Sequence, residues 1–232
     1  MKELYLLFIS AGSLGFVHTL LGPDHYLPFI VLSKARKWSH TKTMWITFIS
    51  GIGHVGSSVL IGMIGIALGV SLNKLEALEA ARGEIVGWML FAFGILYTIY
   101  GLYKYIKSSH HLHLPDFLVP KKIRGLQHLP TEEQEKDNSK LTPWILFLIF
   151  VFGPCEVLIP MLIFPAYENS TFGMITVVLI FGIATVATML LAVFVGIKGT
   201  SLIRFKKQEK YLHLVAGIII LISGTGIVFL GW

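Results

Sequence analysis

The stretch FVHTLLGPDHYLPF, residues 16–29, places two histidines, one aspartate and two prolines inside an otherwise apolar run. A helix that crosses a bilayer normally excludes such groups, because hydrocarbon offers neither hydrogen bonds nor counter-charges. Proline removes a backbone donor and clashes with the preceding turn, so a helix break is predicted at Gly22-Pro23. Ionisable side chains beside a break in an apolar helix indicate a functional site.

The composition of the whole chain is that of a membrane protein. Of its 232 residues, 54% are hydrophobic and only 14% are charged, and the mean hydropathy is +0.73. Soluble domains carry about 25% charged residues. Because a bilayer-spanning helix needs about 20 mostly apolar residues, we predict an all-α, polytopic fold with six transmembrane helices. The six segments lie near 4–33, 43–71, 84–106, 143–166, 172–197 and 211–231.

Lysine and arginine predict how the chain is oriented. Sixteen of the nineteen fall in three segments, 34–42, 104–140 and 198–210. Since cytoplasmic loops attract positive charge, we expect these segments in the cytoplasm and both termini outside, in the cell (inner or plasma) membrane. The net charge of +6 then reflects basic loops lying against anionic lipid headgroups, and no nucleic-acid partner is expected.

The two halves of the chain resemble each other at a nearly constant spacing. GPDHYLP at 22–28 aligns with GPCEVLIP at 153–160, an offset of 131 between the Gly-Pro pairs. Several further glycines repeat at offsets of 130 or 131: Gly51 with Gly182, Gly87 with Gly217, and Gly94 with Gly224. We therefore predict two three-helix repeats, 1–107 and 141–232, separated by a polar, histidine-containing cytoplasmic loop at 108–140.

Three helices are an odd number, so the second repeat is expected to enter the membrane from the opposite side. Inverted repeats of this kind are common in transporters, whose sites lie near the midplane on discontinuous helices in corresponding positions. Here the predicted interruptions are in helices 1 and 4, at Gly22-Pro23 and at Gly153-Pro154.

Four side chains around the first break form a candidate metal site. Asp24 and His25 follow the break, His18 precedes it, and His54 lies in the second predicted helix. Imidazole and carboxylate suit borderline divalent ions such as nickel, cobalt and zinc. Neutral histidines with one aspartate would leave a bound dication with a net charge near +1, which is cheaper to bury than the bare ion. As alternatives, Asp24 and His25 are a capping and packing pair, and His54 is a packing histidine.

The second break contributes Cys155 and Glu156, for which a coupling role or a second-half contribution to the site is expected. The simpler interpretation of Cys155 is a small buried residue. A histidine cluster in the polar loop has the composition of a weak metal-capture segment, although such clusters are often only solvated. Its members are His110, His111 and His113.

The run GFVHTLLGPDHYLPFIVLS resembles the His-x-x-x-Gly-Pro-Asp-His type of motif in the urease-accessory (UreH-like) nickel transporters. It is also similar to the His-x4-Asp-His motif of NicO-type nickel/cobalt transporters, although five residues separate His18 from Asp24 here. The chain is therefore more similar to the UreH-like branch, and GHVGSS resembles the second-helix histidine motif of that branch. FGPCEVLIP resembles the proline-flanked segment shared across the LysE/DsbD-like superfamily.

This resemblance implies a secondary transporter for Ni²⁺ or Co²⁺, with the ion as cargo and no tightly bound cofactor. The ligands it implies are His18, Asp24, His25 and His54.

Three alternative functions predict different residues in the membrane. An exporter of a small anion or organic solute predicts lysine or arginine in the membrane core, whereas every such residue here is expected at a loop or helix end. A thiol-disulfide conduit needs two intramembrane cysteines, and Cys155 is the one cysteine, with Asp24 at its repeat position. An intramembrane metal enzyme would share the ligands but needs a separate nucleophile or general base, so no enzymatic activity is expected.

Overall fold

The computed structural model describes the backbone of residues 2–109, 133–155, 157–168, 170–202 and 209–230. These residues are helical almost throughout, and a short 3₁₀ turn, Pro23–His25, joins the first two helices. The α-helices in this part of the chain are α1 Lys2–Leu21, α2 Leu27–Ala35, α3 His40–Ala67, α4 Leu72–Ser109, α5 Glu133–Phe152, α6 Leu158–Tyr167, α7 Thr171–Leu202 and α8 Glu209–Leu230.

Five of the described helices are long and apolar enough to cross a membrane: Leu4–Leu21, His40–Ala67, Leu72–Ile106, Thr171–Thr200 and Tyr211–Leu230. The remaining predicted span, 143–166, corresponds to two shorter apolar helices, Leu141–Phe152 and Leu158–Tyr167. The chain is therefore an all-α, multi-pass membrane protein, as its composition predicts.

Both predicted helix breaks are confirmed. Helix α1 ends at Leu21, and the chain passes through Gly22 and the 3₁₀ turn before α2 begins. Helix α5 ends at Phe152, and α6 begins only at Leu158. Each break therefore falls at its Gly-Pro pair, where proline cannot donate to the preceding turn.

Two predicted boundaries are wrong. Helix α4 begins at Leu72 rather than near 84, because the run LEALEAA is rich in the strong helix formers leucine, alanine and glutamate. Helix α5 begins at Glu133, inside the predicted loop, where EQEK is likewise composed of good helix formers. The loop histidines His110, His111 and His113 lie outside the described residues.

The most extensive helix–helix contact joins α4 to α8, and it depends on glycine. A Cβ added at Gly94 would lie 2.5 Å from the Cα of Leu221, and one added at Gly224 would lie 2.5 Å from the backbone nitrogen of Phe91. No side chain fits in that space, so the two backbones approach as closely as small residues allow in membrane helix pairs.

The two close contacts are related to each other by the repeat offset found in the sequence. Shifting both members of the Gly94–Leu221 contact by 130 positions, one forward and one back, yields the Gly224–Phe91 contact. This reciprocity is the pattern expected when two helices are related by a pseudo-twofold axis.

Helices of the first half pack mainly against helices of the second half. Besides the α4–α8 pair, α1 packs along α7, and α3 packs against both α5 and α7. Because the halves interleave in this way, both helix breaks come to lie in the same interior region.

The α4–α8 contact generates a stability prediction. Gly94→Ala should destabilise the protein by about 1–3 kcal/mol, the usual cost of overpacking a tight contact, because its methyl group overlaps the backbone of Leu221. The matched control is Gly56→Ala in α3, where, apart from the adjoining residues and backbone of its own helix, no described heavy atom lies within 4 Å of the added Cβ. Thermal unfolding in detergent should show a lower midpoint for the first variant and an unchanged or higher one for the control. Equal midpoints for the two variants would contradict the packing described.

Candidate metal centre

Three histidines from separate elements come together beside the first break. His18 lies in the last turn of α1, His25 ends the 3₁₀ turn, and His54 lies at the centre of α3. The ring centroids of His18 and His25 are 4.9 Å apart, and those of His25 and His54 are 5.0 Å apart. The rings of His18 and His54 are nearly parallel, at 9°, and His25 stands edge-on to both. The break thus folds His25 back between two helical histidines.

The glycine of the first break makes room for His25. The Nδ1 atom of His25 lies 3.2 Å from the carbonyl oxygen of Gly22 and 3.3 Å from Oδ2 of Asp24. A Cβ at position 22 would lie only 2.6 Å from that nitrogen. With a proton on Nδ1, His25 donates to these oxygens, so its Nε2 lone pair faces the other way.

The glycine of the second break has the same relation to His54. Nδ1 of His54 lies 3.3 Å from the carbonyl oxygen of Phe150, and a Cβ at Gly153 would lie 3.2 Å from the same nitrogen. The carbonyl is placed to accept the Nδ1 proton, which selects the tautomer that leaves Nε2 unprotonated. One histidine is therefore oriented by each break.

The outer nitrogens of these rings are buried and unpaired. Among the described residues, none offers a hydrogen-bond partner to the Nε2 atoms of His18, His25 and His54. Buried polar atoms are almost always paired, and an unprotonated Nε2 is the form in which histidine binds a metal. Each of the three Nε2 atoms is therefore chemically able to bind a cation.

Cys155, at the second break, lies next to this histidine cluster. One ring nitrogen of His18, one of His54 and Sγ of Cys155 all lie within 4.8 Å of one another. Neither His25 nor Asp24 belongs to that triplet. Asp24 instead contacts Nδ1 of His25. Glu156, the other residue predicted at this break, lies outside the described residues.

The histidines open onto a cavity of about 860 Å³. Its lining within the described part of the chain includes two carboxylates, Asp24 and Glu84, and no lysine or arginine. Glu84 is exposed and lies within α4. A cavity with acidic and imidazole groups favours cations over anions.

An ion pair that sequence reasoning missed stabilises the second break. Glu79, which is buried, and Arg82, which is partly buried, lie one turn apart on α4 and form an ion pair. Arg82 Nη2 also donates to the carbonyl oxygens of Val151 and Gly153, at 3.2 Å each. These carbonyls belong to the interrupted end of α5, where no helical turn follows to satisfy them.

The same pair fixes the backbone on the far side of the break. The backbone N–H of Cys155 donates to Oε2 of Glu79 at 3.1 Å and to Oγ of Ser58 at 3.0 Å. Ser57 and Ser58 also bind the ion pair from α3. Residues of α3 and α4 therefore hold Cys155 in place.

The expectation that every lysine and arginine lies at a loop or helix end is wrong for Arg82, which is inside the candidate span Leu72–Ile106. The i, i+3 spacing of Glu79 and Arg82 in a run of helix formers was the available signal. It was obscured by the low hydropathy of that segment.

The ion pair generates a second stability prediction. Glu79→Gln leaves the partly buried guanidinium of Arg82 without its counter-charge, which should cost at most the roughly 3–5 kcal/mol of breaking a fully buried pair. Glu76→Gln, an exposed position one turn earlier on the same helix, is the control. Thermal unfolding in detergent should show a large loss of stability for the first variant and almost none for the second. If Glu79→Gln unfolds at the wild-type temperature, the ion pair does not stabilise the break.

Comparison with known proteins places the chain in a membrane family. Residues 27–226 match the family described as "Cytochrome C biogenesis protein transmembrane region". The matched stretch covers most of the chain, including His54 and Cys155, and it begins just after His25. No curated protein and no solved structure matches the chain. The resemblance to nickel and cobalt transporters therefore stays a prediction.

Proposed function

We propose that the chain, which belongs to the family of cytochrome c biogenesis protein transmembrane regions, moves a divalent transition-metal ion across a membrane, with Ni²⁺ or Co²⁺ as cargo. The observation that carries the proposal is the set of three buried Nε2 atoms without described partners, on His18, His25 and His54. Burial without a hydrogen bond costs free energy, and a bound cation would recover it.

In this proposal His18 and His54 bind the ion directly, and His25 lies between them as a third imidazole ligand. Asp24 takes a different role from the one that the sequence predicts. Its carboxylate lies on the Nδ1 side of His25, at 3.3 Å, which is the arrangement of outer-shell carboxylates that orient a metal-binding histidine. Asp24 also lowers the net charge of a loaded site.

The charges around the cavity support a cation as cargo rather than a small anion. Arg82 lies in a candidate span, as an anion exporter would require, but its guanidinium is paired with Glu79 and bound to backbone carbonyls. The described lining of the cavity carries Asp24 and Glu84 without a basic residue. An anion would meet negative charge there.

A thiol-disulfide reaction is not supported by the cysteine content. These 232 residues contain a single cysteine, Cys155, so the chain cannot alternate between a dithiol and a disulfide by itself. Because the chain lacks a second cysteine, its membership of a cytochrome c biogenesis family does not by itself favour a redox function over transport.

The transport mechanism proposed is alternating access between two inverted repeats, 1–107 and 141–232. The reciprocal Gly94–Leu221 and Gly224–Phe91 contacts support such a pseudo-twofold relation. His54 is central in a helix of 28 residues, about 20 Å from either end at 1.5 Å per residue, which agrees with a site near the midplane. The basic segments then face the cytoplasm and both termini face outward.

The ligand assignment predicts loss of transport when any one histidine is removed. In liposomes that contain the purified protein and a Ni²⁺-quenched dye, His18→Ala, His25→Ala and His54→Ala should reduce Ni²⁺ entry to the rate of protein-free liposomes. His40→Ala is the matched control, because His40 is exposed at the start of α3, and it should transport as the wild type does. Wild-type rates in all three site variants would refute the assignment.

The role of Asp24 generates a separate prediction. Loss of an outer-shell partner typically costs 10–100-fold in metal affinity, roughly, rather than all binding. Asp24→Asn should therefore still transport Ni²⁺, at a half-saturating concentration raised by about that factor in the same liposome assay. Complete inactivity, equal to that of His25→Ala, would instead make Asp24 a direct ligand. Unchanged affinity would exclude both roles.

A further inference from the structure

We infer that the thiol sulfur of Cys155 is a ligand in the same site, together with His18 and His54, and that the site therefore selects thiophilic ions over hard ones. This inference rests on the proposed function, because it concerns which atoms hold the transported ion. It adds the second half of the chain to a site that the sequence assigns almost entirely to the first.

The distances between the candidate ligand atoms support this inference. The ligand atoms of His18, His54 and Cys155 lie within 4.8 Å of one another. In tetrahedral sites with metal–nitrogen bonds of about 2.0–2.1 Å and metal–sulfur bonds of about 2.3 Å, ligand atoms are about 3.4–3.6 Å apart. The 4.8 Å bound exceeds that spacing by roughly 1 Å, so the three side chains must move toward the ion for all three atoms to bind it.

The burial of the two Nε2 atoms and of Cys155 also supports the inference. The Nε2 atoms of His18 and His54 have no partner among the described residues, and Cys155 is completely buried beside them. Its position is fixed by its own backbone, since its N–H is held by Ser58 and Glu79. The contacts that satisfy the backbone at the second break therefore also hold Cys155 beside the imidazole rings of His18 and His54.

The net charge of the ion and its ligands also favours a thiolate ligand. Sulfur binds metals as the thiolate, so the thiol proton leaves to water in the cavity when the ion enters. A dication with one thiolate, neutral histidines and the carboxylate of Asp24 has a net charge of zero, and Glu79 and Arg82 cancel each other. A neutral cluster is the least costly one to hold away from water.

The ligand set also determines which ions are accepted. Imidazole and thiolate favour nickel, cobalt, zinc and copper, whereas magnesium and calcium prefer oxygen ligands. Mg²⁺ in particular keeps several bound waters, and nitrogen and sulfur atoms in a buried triplet cannot replace them. We therefore expect Zn²⁺, but not a large excess of Mg²⁺, to displace Co²⁺.

The test is Co²⁺ binding to the purified full chain in detergent, followed by absorption spectroscopy. Wild-type protein should show a sulfur-to-cobalt charge-transfer band in the near ultraviolet together with the visible ligand-field bands of Co²⁺. Cys155→Ser should lose the charge-transfer band, keep ligand-field bands from the histidines, and bind Co²⁺ at least about tenfold more weakly, the lower end of the cost of an outer-shell loss. X-ray absorption at the cobalt edge of the wild type should show a sulfur neighbour, and it needs no variant to fold.

The outcomes separate the two proposals. Wild-type protein that binds Co²⁺ with ligand-field bands but without sulfur in either measurement would overturn the role of Cys155 and leave the histidine site intact. A charge-transfer band that persists in Cys155→Ser would also overturn it. Folded wild-type protein that binds no Co²⁺ at all would overturn both this inference and the proposed function.

Discussion

The structure depends on how backbone groups are satisfied where two membrane helices are interrupted. Hydrocarbon supplies no hydrogen bonds, so non-helical backbone at membrane depth persists only where protein or water takes over the lost partners. At the first break, the Gly22 carbonyl accepts from the backbone N–H of His25 and lies beside its ring nitrogen. At the second, Arg82 and Glu79 bind the backbone on both sides of the gap. Polar groups next to the two breaks therefore stabilise the fold around the candidate site.

The two breaks are alike in backbone and different in chemistry. The first is satisfied locally, by residues of its own Gly-Pro-Asp-His segment, while the second relies on side chains that α3 and α4 deliver from elsewhere in the chain. The ion pair at the second break adds no net charge, so the field at the cavity comes from Asp24 and Glu84. The result is an asymmetric site, in which imidazoles come from the first half and a sulfur atom from the second.

Much of the fold was readable from local sequence. Apolar segment lengths predict a multi-pass, all-α protein, and both Gly-Pro pairs mark real helix breaks because proline acts on its own turn. Predictions failed where hydropathy and helix propensity disagree. The charged start of α4 reads as a loop by hydropathy, yet its alanine, leucine and glutamate content makes it helical and carries Glu79 and Arg82 inward.

By itself, the sequence determined the membrane class, the positions of the two breaks and the presence of His18, His25 and His54, because these follow from composition and from residues within a few turns of one another. Only the tertiary structure decided that Cys155 lies next to ring nitrogens of His18 and His54. It also decided that Asp24 contacts Nδ1 of His25, on the side of the ring away from the unpaired Nε2. Those relations depend on how α1, α3 and the second break pack together. Packing joins residues far apart in the chain, and no local periodicity encodes it.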